Sequence, residues 1–406
     1  MALKRPVVRK HAALFIFVTV VLDSMGIGII IPVMPDLLRE LSGLSVGEAA
    51  IWGGYLSFTY AAMQFLFSPA IGNLSDRFGR RPVLLISLAT LGVDYIVMAL
   101  APNLWVLFVG RIIAGIAGAT YATATAFLAD VTPKEKRAAA FGLVGAGFGV
   151  GFILGPALGG LMGELGTRAP FYAAAAVAFA NFLYGWLVLP ESVPPEKRRA
   201  FEWKRANPLG AVQQISRFPM VAWLLVAAVL YNLAHMVYPA IWSFYTKEAF
   251  HWSNAQIGLS LAAVGVFFAI VQGGLIGWIL KKLGEVRTAV FGFVMNVAGM
   301  TGLAFAQTDW QVYVLMPITA LGAIVTPALT GLMANRVPDD QQGELQGLIA
   351  SLQAIVAIVS PLFLTQLFGL FTKGDAPIYF PGAPFMAAAL FMAIALVPFY
   401  RGIRLR

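Results

Sequence analysis

AALFIFVTVVLDSMGIGIIIPVMPDLL, residues 12–38, is the stretch that decides the fold. It is long and apolar enough to cross a bilayer as a helix, yet it carries Asp23 eleven residues past its start. At a rise of ~1.5 Å per residue, Asp23 lies roughly 16 Å in, near the middle of a ~30 Å hydrocarbon layer. A carboxylate at that depth costs several kcal/mol unless it is paired, hydrated or protonated. Such a residue therefore reads first as functional.

The composition fits one class. Of 406 residues, 59% are hydrophobic and only 12% charged, about half the charged share of an ordinary soluble domain. A polytopic helical membrane protein is expected. The chain has no cysteine, which removes disulfides, thiol chemistry and thiolate metal sites, and its three histidines, His11, His235 and His251, form no ligand pattern. The basic start, Lys4, Arg5, Arg9 and Lys10, runs into a span too long for a cleavable signal and without a small-residue cleavage site.

Twelve apolar spans are expected near 12–38, 48–72, 83–101, 104–129, 139–163, 169–190, 219–245, 255–280, 288–306, 310–334, 344–370 and 379–400. With both termini in the cytoplasm, 23 of the 28 Lys and Arg fall on the cytoplasmic side. Four, Arg39, Arg168, Lys247 and Lys373, fall outside, and Arg111 lies within the membrane. That asymmetry sets the orientation, and it accounts for the net charge of +9 without any nucleic-acid partner.

The longest polar segment, 191–218, reads ESVPPEKRRAFEWKRANPLGAVQQISRF. It divides the chain into an N-terminal six-helix bundle, 1–190, a cytoplasmic linker, 191–218, and a C-terminal six-helix bundle, 219–406. A repeat supports the division. An offset of 205 carries Gly72 to Gly277, Gly79 to Gly284, Pro133 to Pro338, Gly142 to Gly347, Leu143 to Leu348 and Pro156 to Pro361. Two parallel six-helix repeats place a binding site near the midplane, at their interface.

Four groups of residues bear on function. Asp94 lies eleven residues into a span running the same way as the first, so it matches Asp23 in depth; Arg111, Gln64 and His235 also fall inside spans. An Asp–Arg pair that only fixes helix register is the plain alternative. Two acids and one base, however, leave a carboxylate unmatched and able to exchange a proton for a cationic substrate. His235 reads equally well as a hydrogen-bonding residue of the bundle. Second, GNLSDRFGRRP, residues 72–82, sets Asp76 among Arg77, Arg80 and Arg81 between the spaced glycines Gly72 and Gly79. Membrane topology explains the arginines; an ion-pair cluster that biases one conformation explains Asp76 and the glycines as well. In the counterpart, GWILKKLGEVR, Lys281 stands where Asp76 does.

Third, the fifth span carries Gly147, Gly151, Gly155, Gly159 and Gly163 at every fourth residue, with Pro156 beside them. Small residues at that spacing let helices approach closely. With the proline they read as a hinge, or as a seal against a helix of the other half. Fourth, Tyr231, Met236, Tyr238, Trp242, Phe244, Phe267, Phe268 and Met295 could wall a cavity for a flat amphipathic ligand, although packing alone would place them there too. No nucleophile–base pair, metal cluster or phosphate-binding loop marks an enzyme. GFGVG lies inside a span rather than after a strand.

Over nearly its whole length the chain resembles the tetracycline–proton antiporters, a branch of the drug:H+ antiporters of the major facilitator superfamily. The resemblance rests on LDSMGIGIIIPVMPDLLREL, MQFLFSPAIGNLSDRFGRRPVLL, VDYIVMA, GRIIAGIAGAT, GPALGGLMG, LPES, HWSNAQIGLSLAAVG, LAFAQ and QGELQGLIASL. It implies an all-α fold of two pseudo-symmetric six-helix bundles in a bacterial cytoplasmic membrane. It further implies proton-coupled export of an amphipathic drug-like molecule, tetracycline or a related compound, by alternating access. Asp23, Gln64, Asp94 and Arg111 would then handle substrate and proton, with Asp76, Arg80 and Asp130 forming a cytoplasmic gate with Gly72, Arg77 and Gly79. Gly147, Gly151, Gly155, Pro156 and Gly159 would form the antiporter hinge.

The partners implied are a small-molecule substrate, protons and lipid, with no nucleic acid and a monomeric transporter. No cofactor is expected, and a divalent cation enters only together with the substrate. The sequence also departs from the family. Where these exporters carry a histidine in the eighth span and an aspartate in the ninth, this chain has Phe268 and Asn296. Neither titrates, and Phe268 cannot ligate a metal, so a metal–drug complex is the cargo most in question. Uptake of a metabolite by symport or facilitation is the competing reading; a non-transporting receptor or scaffold is a third.

Overall fold

The computed structural model describes residues 5–118, 120–133, 136–201 and 218–404, so most of the segment read as a linker lies outside the described residues. The described chain is helical. In hydrocarbon every backbone N–H and C=O must find its partner within the segment, and a helix does this without help from neighbours. The first group of elements is α1 (Arg5–Ile30), α2 (Met34–Ser42), α3 (Val46–Phe78), α4 (Arg80–Leu100), α5 (Leu104–Ala117), α6 (Thr120–Val131), α7 (Arg137–Gly163) and α8 (Ala169–Val188). After these come α9 (Ala222–His235), α10 (Val237–Phe250), α11 (Asn254–Ile270), α12 (Ile276–Ala304), α13 (Asp309–Leu321), α14 (Val325–Ala334), α15 (Gln342–Thr372) and α16 (Ala383–Arg404).

Among the described residues, eight helices are long and apolar enough to cross a membrane, or nine if α1 and α2 are taken as one span bent by 47°. The opening stretch, 12–38, is therefore not one straight helix. Pro32 removes a backbone donor and disfavours helical geometry at Ile31, and Ile31 N–H turns back to the Gly28 carbonyl at 3.2 Å. The run Asn254–Ala304 covers 51 residues, roughly 75 Å at the helical rise and over twice the hydrocarbon thickness. It breaks at Gly284, whose φ of 73° only glycine adopts freely. Its repeat partner Gly79 has φ 104° at the α3–α4 turn. The same offset therefore joins two backbone positions that need the same freedom.

The contacts divide the chain into two units. One comprises Met1–Ser42, Thr59–Pro208 and Ser253–Ala262; the other comprises Gly43–Phe58, Leu209–Trp252 and Ala263–Arg406. The first turns of α3 and of α11 thus group away from the rest of their own helices.

In the first unit, α1 lies along α7, and the glycine stripe is the reason. A Cβ at Gly147 would press on Phe17, at Gly151 on the Val21 carbonyl and Ser24, at Gly155 on Met25 and Gly28, and at Gly159 on Ile29. Gly28 in turn leaves room for the Pro156 ring. The stripe at every fourth residue therefore faces α1. The next face of α7 meets the start of α11 instead, where Gly160 fits against Asn254 and Gly258, and Gly258 against the Pro156 carbonyl. Glu164 accepts from Ala255 N–H at 2.9 Å in the same place. Phe15, Ile16, Val20, Leu84, Phe127, Leu128 and Val144 fill the core beneath. Thr19 and Asn181 pin α1 to α8 through Oγ1–H to Oδ1 at 3.2 Å and Nδ2–H to the Thr19 carbonyl at 3.3 Å. Such interhelical polar contacts contribute about 0.6–2 kcal/mol each in a bilayer.

In the second unit, aromatic side chains fill the core. Tyr231, Tyr238, Trp242 and Phe244 are all buried. Trp242 meets Trp252 and Phe385 edge-on, with centroids 6.5 and 6.1 Å apart, and Trp252 Nε1 donates to Asp309 at 2.9 Å. These four residues are packing residues, which leaves only the half-buried members of the aromatic group to face a cavity. Gly47 and Gly54, at the start of α3, fit against Thr372 and Thr365 of α15.

Candidate functional site

Asp94 and Arg111 are brought together by a glycine. A Cβ at Gly110 would meet Asp94 Oδ1 at 2.6 Å, so its absence lets the carboxylate sit against α5. Arg111 Nη2 then donates to Asp94 Oδ2 at 2.6 Å, with the Asp94 side chain fully buried and Arg111 11% exposed. The same nitrogen approaches Met98 Sδ at 2.6 Å, and the guanidinium lies 5.5 Å from the centre of the Tyr60 ring. Asp94 Oδ1 and Arg111 Nε have no further partner among the described residues. Gln64, one turn after Tyr60, donates from Nε2 to the Gly118 carbonyl at 2.9 Å and toward Tyr60 Oη at 3.5 Å. Gly118 ends α5, and its carbonyl is one of the orphans that such an end leaves.

Asp23 is half-buried on α1 and has no ion pair or hydrogen bond among the described residues. It is within electrostatic reach of Tyr60 and Tyr95. Tyr95 Oη sits 3.2 Å from where a Cβ on Gly26 would stand, on the face of α1 one turn beyond Asp23. The four polar residues singled out in the N-terminal spans thus fall into one neighbourhood, with the matched and unmatched acids resolved. Asp94 holds the arginine and Asp23 does not. Tyr60 and Tyr95 are the residues that sequence reasoning missed. The i, i+4 spacing of Tyr60 and Gln64 was the available signal for the first.

At the α3–α4 turn, Arg80 is the centre of a cluster. Its Nη1 reaches Asp76 at 2.6 Å and Ser75 Oγ at 2.5 Å, its Nε reaches Asp130 at 3.2 Å, and its backbone N–H donates to Glu191 at 2.9 Å. Ser192 Oγ also donates to Asp130 at 3.2 Å. Ser75, Glu191 and Ser192 were not anticipated as members, although Glu191 and Ser192 end the quoted LPES string. Gly79 is left-handed and lies against the Glu191 carboxylate. Gly72 faces open space, so no close helix approach explains that glycine. Arg77 is exposed, stacked over Phe78 at 5.1 Å, and stands apart from the ion pairs. The counterpart turn replaces the ion pair by an amide–carboxylate contact: Asn335 Nδ2 donates to Glu285 at 3.0 and 3.2 Å, in the places that the offset assigns to Asp130 and Arg80.

In the second unit His235 stacks on Tyr231 at 5.2 Å and lies 5.5 Å from the Phe268 ring, its Nδ1 buried without a partner among the described residues. Asn296 is fully buried and serves the backbone. Its Nδ2 donates to the Gly292 and Gly322 carbonyls at 3.1 and 3.0 Å, and Tyr231 Oη donates to Gly322 at 3.3 Å. Gly322 opens the 3-10 turn, Gly322–Ile324, that separates α13 from α14. Phe268 and Asn296 thus belong to an aromatic stack and a helix break. Among the described residues no three His, Asp or Glu side chains are grouped to hold a metal ion.

Charged and amide side chains buried within apolar helices are the polar groups that membrane transporters carry inside their spans. The Major Facilitator Superfamily model matches residues 16–361 and 224–404. The class C tetracycline resistance protein of Escherichia coli is 41% identical over 359 residues, 88% of this chain and 90% of that protein. The class G protein of Vibrio anguillarum is 40% identical over 88% of this chain and 91% of its own length. The quinolone resistance protein NorA of Staphylococcus aureus is 27% identical over 90% and 91%. A bacterial homologue of the human lysosomal transporter Spinster, in an inward-facing unoccupied conformation, shares the fold with a TM-score of 0.81 at 16% identity, covering 99% of this chain and 98% of that one. The human organic anion transporter MFSD10 shares it at 0.69 and 23%, covering 97% and 99%. The chain belongs to the major facilitator superfamily, in the branch of the tetracycline resistance proteins. It is an integral multi-pass protein of the bacterial cytoplasmic membrane and acts on small molecules.

Proposed function

We propose that the protein is a proton-coupled antiporter that exports an amphipathic drug-like molecule, tetracycline or a close relative, by alternating access. Twelve crossings with both termini in the cytoplasm accompany that proposal. The observation that carries it is the pairing of the two intramembrane acids. Asp94 is held by Arg111 at 2.6 Å, whereas Asp23 has no cation beside it among the described residues. A paired carboxylate keeps its charge through the cycle. An unpaired one in a low-dielectric setting must be protonated, hydrated or matched by a cationic substrate, which makes proton and substrate alternatives at one place.

The cluster of Asp76, Arg80, Asp130 and Glu191 suits a conformational latch, because a few half-buried ion pairs can bias one state and be released in the other. Gly147, Gly151, Gly155, Pro156 and Gly159 serve a rigid seam between α1 and α7 that carries Asp23 with it. Addition of tetracycline to energised inverted vesicles carrying the protein is expected to release protons from the lumen, read by a pH dye. Drug accumulation without proton movement would favour facilitated uptake instead.

A further inference from the structure

Wholly within the second unit, a hollow of about 390 Å³ is lined by Gln272, Ile276, Thr326, Pro327 and Thr330. That is the size range of small-molecule pockets, which pair apolar walls with a few convergent polar groups. We propose that this hollow is a binding subsite for the uncharged, hydrogen-bonding face of the substrate, its carbonyl and hydroxyl groups. The inference rests on the export reading above and adds to it where, and by what chemistry, the second unit holds cargo.

Three observations converge. First, the polar groups come from two separate spans. Gln272 projects from the segment between α11 and α12, and Thr326 and Thr330 lie on one face of α14 at i, i+4. The Gln272 span has a mean hydropathy of 2.1, and an exposed amide there turned to lipid would go unsatisfied at a cost of several kcal/mol. Second, Val271–Leu275 is a π-turn, a helix irregularity found mostly at functional sites. Gly273 and Gly274 beside Gln272 have nothing within reach of a Cβ, so the backbone is open around the amide. Third, the rear wall is fixed. Tyr231 Oη donates to the Gly322 carbonyl that Asn296 also holds, four residues before Thr326.

Among the described residues no charged side chain lines the hollow, so an ionic group of the substrate finds no partner there. Gln272 lies nine residues before Lys281, roughly 13 Å along the helix toward the basic end of the span.

The chain has no cysteine, so Gln272→Cys and Thr330→Cys are unique thiols. In membrane vesicles a charged methanethiosulfonate reagent modifies only water-exposed thiols. Both positions should react, and saturating tetracycline should slow each reaction about fivefold or more, while Val314→Cys, on an exposed face of α13, should not react. Gln272→Leu and Thr330→Val should each weaken tetracycline binding, followed by tryptophan fluorescence of the purified protein, roughly 5–10-fold. Thiols that do not react, or that react at the same rate with and without tetracycline, overturn the subsite. Proton release in inverted vesicles is scored separately. Its loss with protection intact sinks antiport and leaves the hollow, and the converse sinks the hollow alone.

Discussion

Breaking the Asp94–Arg111 pair should cost more than losing either side chain's own contacts. Asp94 is fully buried and Arg111 nearly so, their atoms are 2.6 Å apart, and both sit within apolar helices. Removing one partner of such a pair leaves the other charged and unsolvated, a cost of about 3–5 kcal/mol. Asp94→Asn keeps an amide oxygen that can accept from Arg111 but removes the countercharge, and among the described residues the Tyr60 ring and Met98, contacts of ~1–2 kcal/mol, cannot replace a carboxylate. Arg111→Gln leaves Asp94 against Gly110 with neither oxygen satisfied. The double variant has no orphan charge, so its loss should fall short of the sum of the singles by about 2 kcal/mol or more. Equilibrium unfolding of the four proteins in mixed micelles measures this coupling. Additive losses would show that the pair is not closed in the folded protein, and that Arg111 is free to serve Asp23.

Other outcomes follow from the same contacts. Gly79→Ala and Gly284→Ala both place a side chain at positive φ, at about 1–2 kcal/mol each, but only Gly79 also faces a carboxylate. Gly79→Ala should therefore lower the thermal midpoint further and weaken transport, whereas Gly284→Ala should cost only the backbone term. Gly155→Leu should separate α1 from α7 and cost upward of about 3 kcal/mol, seen as loss of monodisperse protein on size exclusion. Asn296→Asp should destabilise by about 2–4 kcal/mol rather than add a useful acid, because two backbone carbonyls now receive the amide. A stable Asn296→Asp protein would show that the α12 contact with the 322–324 turn is dispensable.

Much of this was legible in the chain because hydrocarbon leaves few choices. Asp23, Asp94 and Arg111 announce themselves, since a charge inside an apolar run needs a reason. Gly79 and Gly284 could be matched by number before their shared backbone geometry was known. The partners were not legible. Which face of α7 met which helix depends on the 100° step between Gly159 and Gly160, and the every-fourth pattern is blind to that step. Tyr60 and Tyr95 are ordinary aromatics in sequence and acquire meaning only beside Arg111 and Asp23. Glu191 joins Arg80 across 111 residues, a contact that no local pattern encodes. The bend after Ile30 was visible in Pro32, yet the apolar run through it reads as one span.

The central claim is that Asp23 exchanges a proton with substrate while Asp94 stays paired. Asp23→Asn, reconstituted beside the wild type, tests it through drug-induced proton release at matched protein levels. The account predicts weaker tetracycline binding, because the neutral amide stands in for the protonated acid that competes with substrate, and abolished proton release. Undiminished proton release from the Asp23→Asn protein would contradict it.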